Sequence, residues 1–290
     1  MQDLPVSIYS YDKELTIEKT TKKKDSFKEP ETPPFAGAVE RALLKYGVLN
    51  MDMLGHAFYR YGQRKRVDIK KVVESLQKMG RVDKYTIKHP SRTRADVDIY
   101  TLSDDVWQEY LQKRKEKSLF KRDFSDIPYL MESLAAAQWH ISVLYNSIRF
   151  KKEFTELMFN RPQITQEGMV QIPSLIRLKY FSKKGVYLCG IPVNRNYDLS
   201  SLKKFICRVA KIDHYFTENA DKYYSYVLII LCESVSQVEE VSKLFEVMEE
   251  TKYLRLLYTI DMVTAKINPL MHLYDVERSS GRAELTLVEL

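Results

Sequence analysis

The first regular apolar spacing in the chain begins at Ala36. Val39, Ala42, Leu43 and Tyr46 share one face of a helix, and Gly47 is placed to close it with a left-handed cap. Asn50 is positioned to cap a second, shorter helix through Phe58, with Met51, Leu54 and Phe58 at i, i+3 and i+7. After the loop YRYGQRKR, Asp68 caps a third helix whose buried stripe is Ile69, Val72, Val73 and Leu76 and whose stop is Gly80. The period then changes from helical to alternating: RVDKYTIKH and DVDIYTLS, joined by Pro90 to Ala95, predict a β-hairpin. Ser103 caps a further helix with Asp104 and Asp105 in its first turn and Lys113-Arg114-Lys115 near its end, the polarity the helix dipole favours. Val106, Trp107, Tyr110 and Leu111 form its apolar side.

The stretch SLFKRDFSDIP interrupts this patterning and reads as a domain boundary. Pro128 then sits in the first turn of a long helix with the stripe Leu130, Leu134, Ala137, Ile141, Leu144 and Ile148. Strand-like runs follow at Phe154 to Phe159, Val170 to Phe181 and Val186 to Val193, the last two joined by the turn SKKG. A helix is expected from Leu199 to about Phe216. The run SYVLIILCE is rich in Val and Ile and suits a strand covered on both faces. Ser236 to Thr251 is amphipathic, LRLLYTIDMV is another strand, and short strand-like pieces continue to Leu290. This order predicts an α/β domain with one mixed central sheet.

Residues 1–34 mix charges with few large apolar groups and end in a proline pair, so residues 1–35 are expected to form a flexible arm. The expected organisation is that arm, a helix-and-hairpin domain over 36–118 and an α/β domain over 128–290. A length of 290 residues suits two cores. No apolar run reaches the roughly 18 residues of a membrane span, and the start MQDLPVSIYSYDKE lacks the features of a signal peptide, so a cytoplasmic protein without a membrane partner is expected. Cys189, Cys207 and Cys232 are widely spaced with no CxxC, which suggests core thiols and no zinc site.

Charge changes the picture most. The segment Tyr59 to Arg94 holds twelve Lys and Arg against three acids, in a chain whose whole excess is +7. A basic field gathered on one domain steers polyanions and gives them salt-sensitive affinity. Three helices followed by a hairpin is also the winged helix-turn-helix plan, in which the third helix enters the major groove and the wing follows the flanking phosphates. Lys70, Lys71, Gln77 and Lys78 project from the third helix, Arg64, Lys65 and Arg66 precede it, and Lys88, Arg92 and Arg94 decorate the wing. The cations suit phosphates, whereas Ser75, Gln77 or a lysine at a base edge would choose sequence. Double-stranded DNA is therefore the expected partner. Winged helices also dock proteins, and the basic wing tip argues against that use here.

In the second domain the element order resembles the core of the restriction-endonuclease-like superfamily, whose strands carry Pro-Asp and, beyond a turn, Glu-x-Lys. With the first domain in front, the whole plan over residues 36–290 resembles the replication-relaxation proteins of bacterial plasmids and conjugative elements. The resemblance implies a nuclease-like fold, but the catalytic residues do not carry over. Pro173-Ser174 stands where Pro-Asp is expected, and Cys189-Gly190-Ile191 stands where Glu-x-Lys is expected. Metal-assisted cleavage needs carboxylates around the cation and a group to activate water. Glu132 and Asp198 are the nearest acids, so no catalytic residue, metal or cofactor is assigned.

No GxGxxG, P-loop, HExxH or GxSxG is present, and the five histidines are scattered without HxH. His140 beside Trp139 and the twenty tyrosines are read as packing residues with polar handles. The expected function is a non-enzymatic DNA-binding factor in replication, mobilisation or transcription of a mobile element. The helix after the wing can pair with a second subunit, and the neutral α/β domain can hold a protein partner. Two alternatives stay open: a metal-dependent nuclease with displaced acids, and a protein-docking winged helix.

Overall fold

The computed structural model of the chain describes residues 9, 13–20, 32–60, 68–90, 96–114, 124–149, 153–166, 168–179, 185–195, 198–223, 225–248, 254, 256–261, 270, 272–279 and 282–288. They fall into two compact units, one of residues 12–127 and the other of residues 128–290 with 1–11. Mixed helix and sheet run through both.

The first unit contains β1 (Thr16–Thr20), α1 (Ala36–Tyr46), β2 (Leu49–Asn50), α2 (Met51–Arg60), α3 (Ile69–Lys78), β3 (Val82–Lys88), β4 (Val97–Leu102) and α4 (Asp104–Arg114). Its sheet has the order β1-β3-β4-β2. The caps form where the polar residues predict them. Asn50 Oδ1 accepts from the Met53 amide at 2.8 Å, and Asp68 Oδ1 accepts from the Lys71 amide at 3.3 Å. At the end of α3 the Arg81 amide donates to Leu76 O at 2.9 Å and the Gly80 amide to Gln77 O at 3.0 Å. This double bond pattern needs a left-handed residue between, and Gly80 supplies it with φ 71°. Ser103 departs from expectation: its carbonyl receives the first helical bond, from the Trp107 amide, while its buried hydroxyl has no hydrogen-bond partner among the described residues.

The hairpin is antiparallel from Val82 opposite Leu102 to Ile87 opposite Val97, and its tip at 91–95 lies outside the described residues. The arm expected to be flexible contributes a strand. β1 pairs antiparallel along β3, with Ile17 opposite Ile87, and covers an edge that would otherwise present unpaired backbone groups. TIEKT has one large apolar residue, too few to announce a strand by alternation.

The second unit contains α5 (Ile127–Arg149), β5 (Glu153–Thr165), β6 (Gly168–Lys179), β7 (Gly185–Pro192), α6 (Leu199–Glu218), β8 (Tyr226–Cys232), α7 (Val235–Val247), β9 (Leu256–Ile260), β10 (Leu273–Ser279) and β11 (Arg282–Val288). The sheet runs β11-β10-β9-β8-β7-β6-β5 and is mixed: β7, β8 and β9 are parallel and their flanking neighbours antiparallel. The apolar run of β8 divides by alternation. Leu228, Ile230 and Cys232 face α6 and α7 through Phe205, Val209, Val238 and Phe245, whereas Ile229 and Leu231 join Trp139, Val143 and Leu144 of α5. Each such aliphatic side chain contributes about 1.5–3 kcal/mol by leaving water. Helices therefore cover both faces, and the two crossover helices α6 and α7 lie together on one of them.

Candidate nucleic-acid interface and the carboxyl edge of the central sheet

The third helix α3 has one buried face, Val72, Val73 and Leu76, and one open face. Lys70, Lys71 and Lys78 are exposed, and Ser75 and Gln77 are half-buried beside them. Lys71 Nζ lies 3.7 Å from the capping carboxylate of Asp68. Lys70 and Lys78 enter no ion pair among the described residues. Arg64, Lys65, Arg66, Arg92 and Arg94 fall outside the described residues.

Other cations of the basic stretch are already engaged. Lys88 on β3 is exposed, but its Nζ lies 2.6 Å from Glu18 Oε2 on β1, so the first strand delivers a carboxylate to the expected wing contact. Lys84 pairs with Asp98 across the hairpin at 2.6 Å. Arg81 is turned inward: its Nε lies 2.5 Å from Oε1 of the buried Glu40, and its Nη2 donates to Oε2 at 3.2 Å. Tyr110 of α4 donates to the same carboxylate at 2.7 Å. Burial, with the Glu40 bond next, pushes the Tyr110 phenol up to about 12. Arg81 is thus a tie between α1, α4 and the start of the hairpin.

In the second unit the charged residues that matter follow the parallel strands. Arg195 comes after β7, Glu233 directly after β8 and Asp261 directly after β9. Arg195 is fully buried, with Nη1 2.8 Å from Glu233 Oε1 and Nη2 2.5 Å from Asp261 Oδ2. The Arg195 amide donates to Glu132 Oε1 of α5 at 3.3 Å, and Gln138 Nε2 donates to the Asp261 carbonyl at 2.7 Å. Arg208 of α6 adds Nη1 at 3.5 Å from Glu132 Oε2 and donates through Nη2 to Pro192 O at 2.7 Å. Burial raises the Glu132 carboxyl above its ordinary range, against the pull of the two arginines. Sequence reasoning misses this cluster, although a charged residue just beyond a fully apolar strand is its signal.

The two stretches set against nuclease chemistry are neighbours in the sheet, because Ser174 of β6 is the register partner of Gly190 of β7. The Ser174 hydroxyl lies 2.6 Å from Nδ1 of the buried His140, whose ring stands edge-on to Phe159. A side-chain carbon at position 190 would meet Trp139 Cε3 at 2.5 Å, so the indole fills the space a functional side chain would need. Glu132 is held by arginines and Asp198 caps α6 through the Ser201 amide at 2.8 Å. Among the described residues no three His, Cys, Asp or Glu side chains gather into a metal site.

Tyr215 and Tyr223 share a hydroxyl contact of 3.0 Å, and Tyr226 donates to Asp213 at 2.8 Å, so these tyrosines do pack with polar handles. Cys189 and Cys232 are buried, but Cys207 is exposed, a correction to its expected place in the core. It lies between Lys203 and Lys211 at helical spacing on the outward side of α6. Among the described residues no helix is long and apolar enough to cross a membrane. Compared with known proteins, the chain matches no family model, no curated protein and no solved structure.

Proposed function

We propose that this is a non-enzymatic, double-stranded DNA-binding protein whose first unit acts as a winged helix-turn-helix. In this reading α3 enters the major groove and the β3–β4 hairpin lies along the flanking phosphates. The observation that carries it is the open face of α3, where Lys70, Lys71 and Lys78 stand exposed opposite a buried Val72, Val73 and Leu76 stripe. Ser75 and Gln77 sit within that face and are the candidates for base readout. Arg64, Lys65, Arg66, Arg92 and Arg94 are assigned to the phosphates on the strength of the sequence, and Lys88 is assigned there in competition with Glu18.

The second unit supports a restriction-endonuclease-like reading by its order: a helix, an antiparallel three-strand meander, then a helix and a parallel strand. Trp139 against Gly190 and His140 against Ser174 support a core that no longer cuts. The unit then serves to arrange a second subunit or a protein partner. Together with the resemblance to replication-relaxation proteins, this makes the protein a cytoplasmic accessory or regulatory factor in replication, mobilisation or transcription of a bacterial mobile element. A labelled duplex, titrated with the wild type and with a variant carrying Lys70, Lys71 and Lys78 as Ala, tests the reading. Binding by the wild type and its loss in the variant is the expected result; equal affinity overturns it. Nicking of a supercoiled plasmid with Mg²⁺ or Mn²⁺ would overturn the non-enzymatic part.

A further inference from the structure

The outward side of α6 and the end of the β5–β6 hairpin enclose a groove of about 880 Å³. Met169 and Leu199 line it while remaining 75% and 61% exposed, and Ile164, the register partner of Met169, is 88% exposed. Large apolar groups this open, gathered at one concavity, mark a surface for a partner. The rim is cationic: Lys203, Lys204 and Lys211 line the groove, and no carboxylate does among the described residues. Arg208 lies deeper and is committed to Glu132 and to the Pro192 carbonyl.

A nucleic-acid backbone fits this combination poorly. The groove's surface is chiefly apolar, and a phosphate gains nothing from Met169 or Leu199. The amide donors at the start of α6, where an anion would otherwise sit, are already taken by Asp198, whose carboxylate accepts from the Ser201 amide at 2.8 Å and from its hydroxyl at 2.8 Å. An acidic protein segment satisfies both halves of the surface. Lys204 and Lys211 lie seven positions apart on α6, roughly 10.5 Å along the axis, which is the repeat of two turns on a partner helix.

We propose that this groove docks an acidic amphipathic helix of a protein partner, with its apolar side on Met169 and Leu199 and its carboxylates against Lys203, Lys204 and Lys211. The surface belongs to the second unit and is independent of the DNA reading of α3. Helix-in-groove recognition of this kind places apolar anchors at i, i+3, i+4 and i+7.

The test uses the full chain and a fluorescein-labelled synthetic helix with Leu at those positions and Glu along both flanks. A shuffled peptide of the same composition and a Lys-for-Glu peptide serve as controls. The proposal expects anisotropy to report binding of the amphipathic acidic helix, with both controls at least about tenfold weaker. It expects Lys204→Glu with Lys211→Glu, and separately Met169→Ser, to weaken binding at least about tenfold at unchanged duplex affinity and unchanged thermal midpoint. Absence of binding, equal binding of the shuffled peptide, or no effect of either variant overturns it. A parallel loss of duplex affinity in the lysine variant also overturns it, by making the groove a nucleic-acid track.

Discussion

Arg195 reaches from the end of β7 to Asp261, the residue after β9, with Nη2 2.5 Å from Oδ2 and a fully buried guanidinium. β8 lies between those strands in the sheet, and Glu233 at its end completes the bridge. The carboxyl ends of the parallel strands are thereby tied in a place where α/β sheets commonly keep a ligand crevice.

Removing the arginine leaves Asp261 and Glu233 buried without their counter-charge. Arg195→Ala is expected to cost about 3–5 kcal/mol in the stability of the second unit. Removing one acid together with the arginine, as Arg195→Met with Asp261→Leu, leaves only Glu233 uncompensated and is expected to cost less than the single change. Urea unfolding followed by Trp139 fluorescence in a Trp107→Phe background reads the second unit alone.

The acid side of the same cluster sets a pH dependence. Burial, opposed by Arg208 and the Arg195 amide, holds the Glu132 carboxyl above its ordinary value of 4.5. The folded state therefore holds this proton more tightly than the unfolded chain. Its contribution to stability is complete below the ordinary value and declines as pH rises through the higher folded value. The stability of the wild type relative to Glu132→Gln is expected to fall as pH rises above the ordinary value of 4.5, measured by urea unfolding at each pH. A flat difference would show that the carboxyl titrates alike in both states.

Trp139 of α5 packs directly against Gly190 of β7. Gly190→Ala forces a methyl into the indole and is expected to destabilise by about 1–3 kcal/mol. In a Trp139→Phe background the same change is expected to cost less, because the smaller ring leaves room. A double-mutant cycle by thermal or urea unfolding measures the coupling.

Much of the fold is written in short-range patterns. β8, α6 and α7 announce themselves by apolar runs or stripes, and Asp68, Asn50 and Gly80 act where local chemistry places them. What escapes is what depends on distant partners. Arg195 and Asp261 are 66 residues apart and carry no periodic signal. β1 becomes a strand only because β3 offers it an edge, and that strand changes the candidate interface by bringing Glu18 to Lys88. Likewise Arg81 counts as a cation in the sequence but is spent on Glu40 in the fold. A charge count over the basic stretch therefore overstates the cations open to a ligand, and among the described residues the face of α3 is where that excess survives.

The Glu18 and Lys88 pair makes a prediction of its own. Both side chains are about half exposed, and the carboxylate competes with any phosphate for the lysine. Glu18→Gln is expected to tighten duplex binding a few-fold and to steepen its salt dependence. Lys88→Ala is expected to weaken binding less than Lys70→Ala does. Duplex titrations of the three variants across a salt series check the order and the slope.

The central claim is that the open face of α3 meets the phosphates of duplex DNA. The direct measurement is the affinity for a labelled duplex across a salt series, for the wild type and for variants carrying Ala at Lys70, Lys71 and Lys78 in turn. The account predicts a linear fall of log affinity with log salt, and a slope shallower by about 1 for each lysine removed. A salt-independent affinity, or a slope that the three substitutions leave unchanged, would contradict it.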